Sequence, residues 1–131
     1  MTNHELIERA KTVLNPRVLF LDNTAGDVAC ALQSTQGNVY LGVCMDISSG
    51  IGFCAEHSAI AAMLTAGESA IARIVAISAD GKVLPPCGRC REFMYEIDVD
   101  NLANTEVILG ENMTTRLSEL LPHPYHEVWS E

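Results

Sequence analysis

The sequence predicts one α/β domain built around a single sheet, and three observations carry that reading. The chain has 131 residues, the size of one compact domain, and 48% of them are apolar, enough to fill a core. Helix-period and strand-like segments alternate along it in the order α-β-β-α-β-α-β-α, the signature of a layered α/β fold. No linker, internal repeat or low-complexity stretch divides the chain, so residues 1–131 are expected to form one unit.

Each element has a local cause. Over residues 4–14, Leu6, Ile7, Ala10, Val13 and Leu14 fall on one helical stripe, Thr2 and Glu5 have capping-box spacing, and Pro16 ends the run. Val28 to Leu32 and Val39 to Cys44 read as strands. Ser34-Thr35-Gln36-Gly37-Asn38 between them supplies a hairpin turn. Ser48 to Gly52 reads as a small flexible loop. Cys54 to Ala66 follows, rich in Ala, Met and Leu, free of Pro and Gly, and stopped by Gly67; its small side chains suit a helix buried against a sheet. Ile71 to Ala79 is an apolar, β-branched run suited to a central strand. Pro85-Pro86 leads into a helix from Cys87 to Ile97, Glu106 to Leu109 is a strand, and Thr115 to Leu121 is a short helix closed by Pro122.

Charge excludes several classes of function. Eight Lys and Arg against 17 Asp and Glu give a net charge of −9, which argues against a protein that coats phosphate backbones. A strand-editing enzyme would also need a basic track with stacking aromatics, and aromatics are only 5% of the chain. No apolar run approaches the ~20 residues that span a bilayer. The polar, acidic Met1-Thr2-Asn3-His4-Glu5 does not read as a secretory signal. The expectation is a cytoplasmic protein with no membrane or nucleic-acid partner. Five cysteines in such a chain point to metal or catalytic use rather than a disulfide scaffold.

Three of those cysteines sit at two helix starts. Cys87-Gly88-Arg89-Cys90 puts two sulfurs on one helical face, where free N–H groups and the helix dipole favour thiolate. Cys54 opens the other long helix with Glu56 two residues on. Residues i and i+2 of an ideal helix point about 200° apart, so Cys54 and Glu56 converge only if Cys54 is a cap outside helical geometry. Three thiolates make a catalytic zinc site with the fourth position left to water. For the C-x-x-C pair alone, the rival reading is a thioredoxin-like redox pair; Cys54 with Glu56 tips the balance to zinc. Cys30 and Cys44, in strands, read as small buried hydrophobes, with Cys44 also a candidate for the substrate pocket.

Cys54-Ala55-Glu56 followed by Pro86-Cys87-Gly88-Arg89-Cys90-Arg91 resembles the three-cysteine zinc nucleobase deaminases, the small cytidine deaminases and blasticidin S deaminase among them. The resemblance is strong over 54–96 and looser elsewhere. It implies a three-layer α/β/α fold with a central mixed sheet, one Zn²⁺ per chain on Cys54, Cys87 and Cys90, and attack of a zinc-activated water on C4 of a cytosine ring. Glu56 is then the catalytic residue, moving the water proton to ring N3 and to the leaving amine. Backbone groups near Ala55 and Pro86 bind the ring carbonyl and the departing ammonia. A homotetramer is also implied.

On the substrate side the chain departs from the family's pattern. Where cytidine deaminases carry Asn-x-Glu for the ribose hydroxyls, this chain has Cys44 and Asp46; Asp46 keeps an acceptor, but Cys44 cannot replace an amide. His57 stands where Arg is common, and Glu92 where Gln is. Tyr125 and Trp129 resemble the C-terminal Tyr and Trp of blasticidin S deaminase, as pocket lid or core plugs. The expected activity is therefore deamination of cytidine, deoxycytidine or a related analogue. The alternatives are a blasticidin-type antibiotic deaminase and a non-catalytic zinc-containing nucleoside-binding module. Three thiolates and one Zn²⁺ would take the chain's charge to −10, a field that favours a neutral or cationic substrate.

Overall fold

The computed structural model describes residues 1–127, so Trp129 lies outside the described residues. The N-cap forms: the Thr2 hydroxyl accepts the Glu5 N–H at 3.1 Å and donates to the Glu5 carboxylate at 3.2 Å, in place of the reciprocal bond to the Thr2 N–H, starting α1 (Asn3–Lys11). Leu6, Ile7 and Ala10 form its buried stripe. The helix ends before residue 14. The Thr12 hydroxyl takes the Arg9 carbonyl at 2.6 Å, and Val13 N–H turns back to Ala10 instead.

The strands are β1 (Arg17–Val18), β2 (Thr24–Ser34), β3 (Val39–Ile47), β4 (Ile51–Phe53), β5 (Ile71–Ser78), β6 (Val83–Leu84), β7 (Glu106–Gly110) and β8 (Met113–Arg116). Between them run α2 (Ala55–Thr65), α3 (Gly88–Ile97), α4 (Asn101–Asn104) and α5 (Leu117–Leu120). The sheet order is β4-β3-β2-β5-β7-β8, with β1 on β2 and β6 on β5. Among the described residues only β5 and β7 pair in parallel, which a crossover through α3 and α4 makes possible. The result is the expected mixed sheet covered on both faces.

The alternation along β2 shows why two helical layers are needed. Cys30 and Leu32 point to one side, with Ala59, Ile60 and Met63 of α2 and Met94 of α3. Ala29 and Ala31 point to the other, beneath Leu6, Ile7 and Ala10 of α1. Both faces of β2 are therefore apolar. α2 lies so close to β3 that a Cβ on Gly42 would stand 2.4 Å from the Ala59 amide nitrogen. The Ser58 hydroxyl fixes the same contact by donating to the Val43 carbonyl at 2.7 Å.

Three local features depart from the sequence reading. Ser48 to Gly52 is a tight turn rather than a flexible loop: Ser49 (φ 66°) and Gly50 (φ 70°) reverse the chain and β4 pairs back on β3. Residues 113–116 extend the sheet as β8 against β7, so the expected helix over 115–121 shrinks to α5; the threonines at 114 and 115 suit an edge strand. β2 also carries a bulge, its register on β3 shifting between Ala25 and Ala29. Val28 N–H is thereby freed from the β3 ladder and donates to the Cys44 sulfur at 3.3 Å.

Candidate active site

Cys54 and Cys87 are the N-caps of α2 and α3, both in extended backbone geometry (φ −69°, ψ 158° and φ −70°, ψ 171°). That is the condition under which Cys54 and Glu56 can face one point. The two helix N-termini bring the sulfurs together: Cys54 to Cys87 is 3.5 Å and Cys87 to Cys90 is 3.6 Å. A tetrahedral zinc with Zn–S bonds of about 2.3 Å holds sulfurs about 3.8 Å apart. The donor set therefore fits zinc in chemistry and in spacing. Burial pushes the Cys54 and Cys90 thiols up from the usual range, a cost that a divalent cation reverses. Burial acts the same way on Cys87, but hydrogen bonds from the Cys90 and Arg89 backbone and from the neighbouring thiols outweigh it and lower its pKa.

A fourth donor joins them. His57, one residue beyond Glu56, places Nδ1 3.5 Å from the Cys90 sulfur, and Cys54, His57 and Cys90 lie mutually within 4.8 Å. Its ring stacks on Phe93 at 4.8 Å and 23°. Burial, followed by the nearby Arg89 charge, lowers its pKa. The sequence signal was present: Cys54-x-x-His57 repeats the spacing of Cys87-x-x-Cys90.

Glu56 is 6% exposed in the first turn of α2. Burial raises its carboxyl above the usual carboxylate range, against opposing hydrogen bonds from its own backbone and Cys90. A carboxyl raised this way is a stronger base than an ordinary carboxylate and can return the proton it takes. Glu56 opens with Cys54, Cys87, Cys44 and Ala55 onto a recess of about 200 Å³. Cys44 and Cys54 also line a wider outer groove of about 400 Å³, with Asp46 and Arg89 on its walls. Pro86 lines a separate small cavity behind Glu56, and its carbonyl accepts the Arg91 Nε–H at 2.8 Å. Arg91 Nη1 reaches the Leu120 carbonyl, so this cation braces the approach to α3. Tyr125 is 67% exposed, gives its backbone N–H to Glu92, and lines none of these spaces. Cys30 is core, as expected.

Sulfurs spaced for a cation, beside a buried carboxyl on the same recess, are the equipment of a zinc-dependent hydrolase, and this fold and site define that class. No protein-family model matches the chain. A curated cytidine deaminase of Halalkalibacterium halodurans is 32% identical over 100 residues, spanning 72% of this chain and 74% of that protein. One from Mycobacterium tuberculosis is 28% identical over 100 residues, 75% of this chain and 71% of that protein. The crystal structure of the Burkholderia pseudomallei cytidine deaminase superposes with a TM-score of 0.76 at 30% identity, over 95% of this chain and 100% of that one. The chain belongs to the cytidine deaminase family. Neither the blasticidin-type reading nor the non-catalytic module is favoured by these likenesses.

Proposed function

We infer that the chain is a zinc-dependent hydrolytic deaminase that converts a cytosine nucleoside and water to the uracil nucleoside and ammonia. The observation that carries this is the buried, raised-pKa carboxyl of Glu56 opening onto the same recess as the sulfurs of Cys54 and Cys87. Cys54, Cys87 and Cys90 hold the metal. When bound, zinc supplies the Lewis acidity that brings the pKa of water down to about 7. Glu56 accepts a proton from the water attacking C4 and delivers it to ring N3. It then carries the second proton to the exocyclic nitrogen, so that ammonia leaves and the C4 carbonyl forms. The backbone at Ala55, on the recess wall, orients the ring carbonyl; Pro86, which the sequence reading placed beside it, lines the separate cavity behind Glu56 and takes no part.

The inner recess has room for a pyrimidine ring, and the outer groove takes the N1 substituent. Asp46 is the hydroxyl acceptor there. Cys44 contributes shape without an amide's hydrogen bonds, because its sulfur already accepts the Val28 N–H. The assay is loss of cytidine ultraviolet absorbance together with ammonia release, with and without a chelator. Turnover that the chelator abolishes and zinc restores is expected. No turnover on cytidine, deoxycytidine, cytosine, blasticidin S or N4-substituted cytidines would refute the reading.

The same proposal includes a homotetramer in the cytoplasm. The exposed apolar run of Val18, Leu19, Phe20 and Leu21 supports self-association. Light scattering that gives a monomer mass would remove the tetramer from it. Among the described residues no helix is long and apolar enough to cross a membrane.

A further inference from the structure

Cys44 and Cys54 are the two residues shared by the inner recess and the outer groove. Cys54 belongs to the metal cluster, so Cys44 on β3 is what a substrate meets where its ring joins its N1 substituent. We propose that Cys44 is a specificity-determining residue, which leaves that junction without a hydrogen-bond partner and so admits cytosine nucleosides whose sugar lacks its hydroxyls. This rests on the functional reading above, in which the recess takes the pyrimidine ring and the groove takes the N1 substituent.

The bulge in β2 produces this wall. Ala25 pairs with Met45 and Ala29 with Val43, so Gly26, Asp27 and Val28 together stand opposite Cys44. The extra length turns the Val28 N–H onto the Cys44 sulfur at 3.3 Å. A thiol is a weak donor and a weak acceptor, and here its acceptor side is taken. The bulge has no slack with which to release it. The Gly26 carbonyl accepts the Asn15 N–H at 3.1 Å, and the Asp27 carbonyl accepts the Ala79 N–H at 2.9 Å. Gly26 lies at φ 87°, so close to Asn15 that a Cβ would stand 2.1 Å from its carbonyl oxygen. The neighbouring recess walls, Val28, Ala76, Leu84 and Pro85, have apolar side chains.

Strong discrimination by a hydroxyl needs a buried polar group that is left unpaired when the hydroxyl is missing. Sites built that way reject the analogue by about 10⁴–10⁵-fold. Apart from the cysteines, the polar side chains on this groove's walls among the described residues are Asp46 and Arg89, and both are exposed. Water takes over a hydrogen bond that a substrate fails to make with an exposed group, so its loss costs about 10-fold or less. Glu56 is buried, but it faces the recess and serves the ring, not the sugar.

The experiment measures kcat/KM of the zinc-loaded chain for cytidine and for 2′,3′-dideoxycytidine by loss of ultraviolet absorbance. The ratio of the two is read within one protein, so a variant's loss of folded or metal-bound molecules cancels from it. The wild type is expected to favour cytidine by about 10-fold or less. Cys44→Ala uncovers the Val28 N–H, which a sugar hydroxyl accepts and the dideoxy sugar leaves unpaired; the preference then rises by about 10-fold. Cys44→Ser places a hydroxyl at the junction and moves the preference in the same direction. A wild-type preference for cytidine of about 10³-fold or more overturns the proposal, because the site then reads the hydroxyls through buried partners, while the deaminase reading stands. A ratio unchanged in both variants also overturns it, because the sulfur then has no part in the choice. A wild type that turns over neither nucleoside, nor cytosine, overturns the functional reading itself and this proposal with it.

Discussion

Gly42→Ala tests whether the seating of α2 on β3 governs the chemistry. The added Cβ would stand 2.4 Å from the Ala59 nitrogen and 2.6 Å from the Ser58 Cβ, where ordinary contact begins at 3.4 Å. Both obstacles lie on α2, and one is backbone, so no rotamer change relieves them. The helix must withdraw from β3 by about 1 Å, stretching the Ser58 to Val43 hydrogen bond of 2.7 Å. Overpacking of this kind costs about 1–3 kcal/mol, which for a chain of this length is a Tm loss of roughly 4–12 °C. The same movement shifts Glu56 and the Cys54 cap relative to Cys87 on α3. A misplacement of about 1 Å in a catalytic group costs on the order of 10²-fold in rate. Thermal unfolding and initial rates of cytidine deamination, run on both proteins with zinc in excess, read the two effects separately. Wild-type Tm and wild-type kcat together would refute the reasoning that β3 sets the height of α2. A lowered Tm with unchanged kcat would refute its catalytic half.

Glu56→Gln should retain one zinc per chain by metal analysis, because the three sulfurs are untouched. Its kcat should fall by about 10²–10⁴-fold, or roughly 3–5 kcal/mol of barrier. Normal turnover would remove Glu56 from the proton relay. Glu68 should carry an acid-dependent share of stability. Hydrogen bonds from Ser34, Tyr40 and Asn38 hold its carboxyl below the usual range, so the folded state binds that proton less tightly than the unfolded chain. The contribution is present above the unfolded value near 4.5 and is lost as pH falls through the lower, folded one. The wild type should therefore exceed Glu68→Gln in urea midpoint at pH 7 and match it at strongly acid pH. A difference that is constant with pH would contradict the assignment.

The chemistry was more legible in the sequence than the edges of the sheet were. Cys54, Glu56, Cys87 and Cys90 announced themselves through spacing, and the requirement that Cys54 be an extended cap followed from helix geometry alone. The cap at Thr2 and the buried central runs over 28–32 and 71–79 were equally plain, because burial on both faces leaves a continuous apolar signal. β1 and β6 have two residues each, too few to show a period of 2. β8 was taken for helix because Thr115 to Leu121 is closed by a proline, while the pairing that makes residues 113–116 a strand is supplied by β7, the strand just before it. The bulge in β2 left no mark either, since an extra residue in a strand shows only against its partner. His57 was visible as a residue, and its direction became known only when α3 brought Phe93 and Cys90 to its side.

The sulfurs of Cys54 and Cys87 belong to residues 33 positions apart, and the chain between them comprises α2, β5 and β6. A cation that holds both sulfurs ties that stretch into a ring. Cross-linking a loop of this length removes configurational entropy from the unfolded chain worth on the order of 4 kcal/mol. The metal is thus a clasp on the middle of the molecule as well as a reagent. Stripping it would open that ring and leave β5 held by its ladders and its apolar contacts alone.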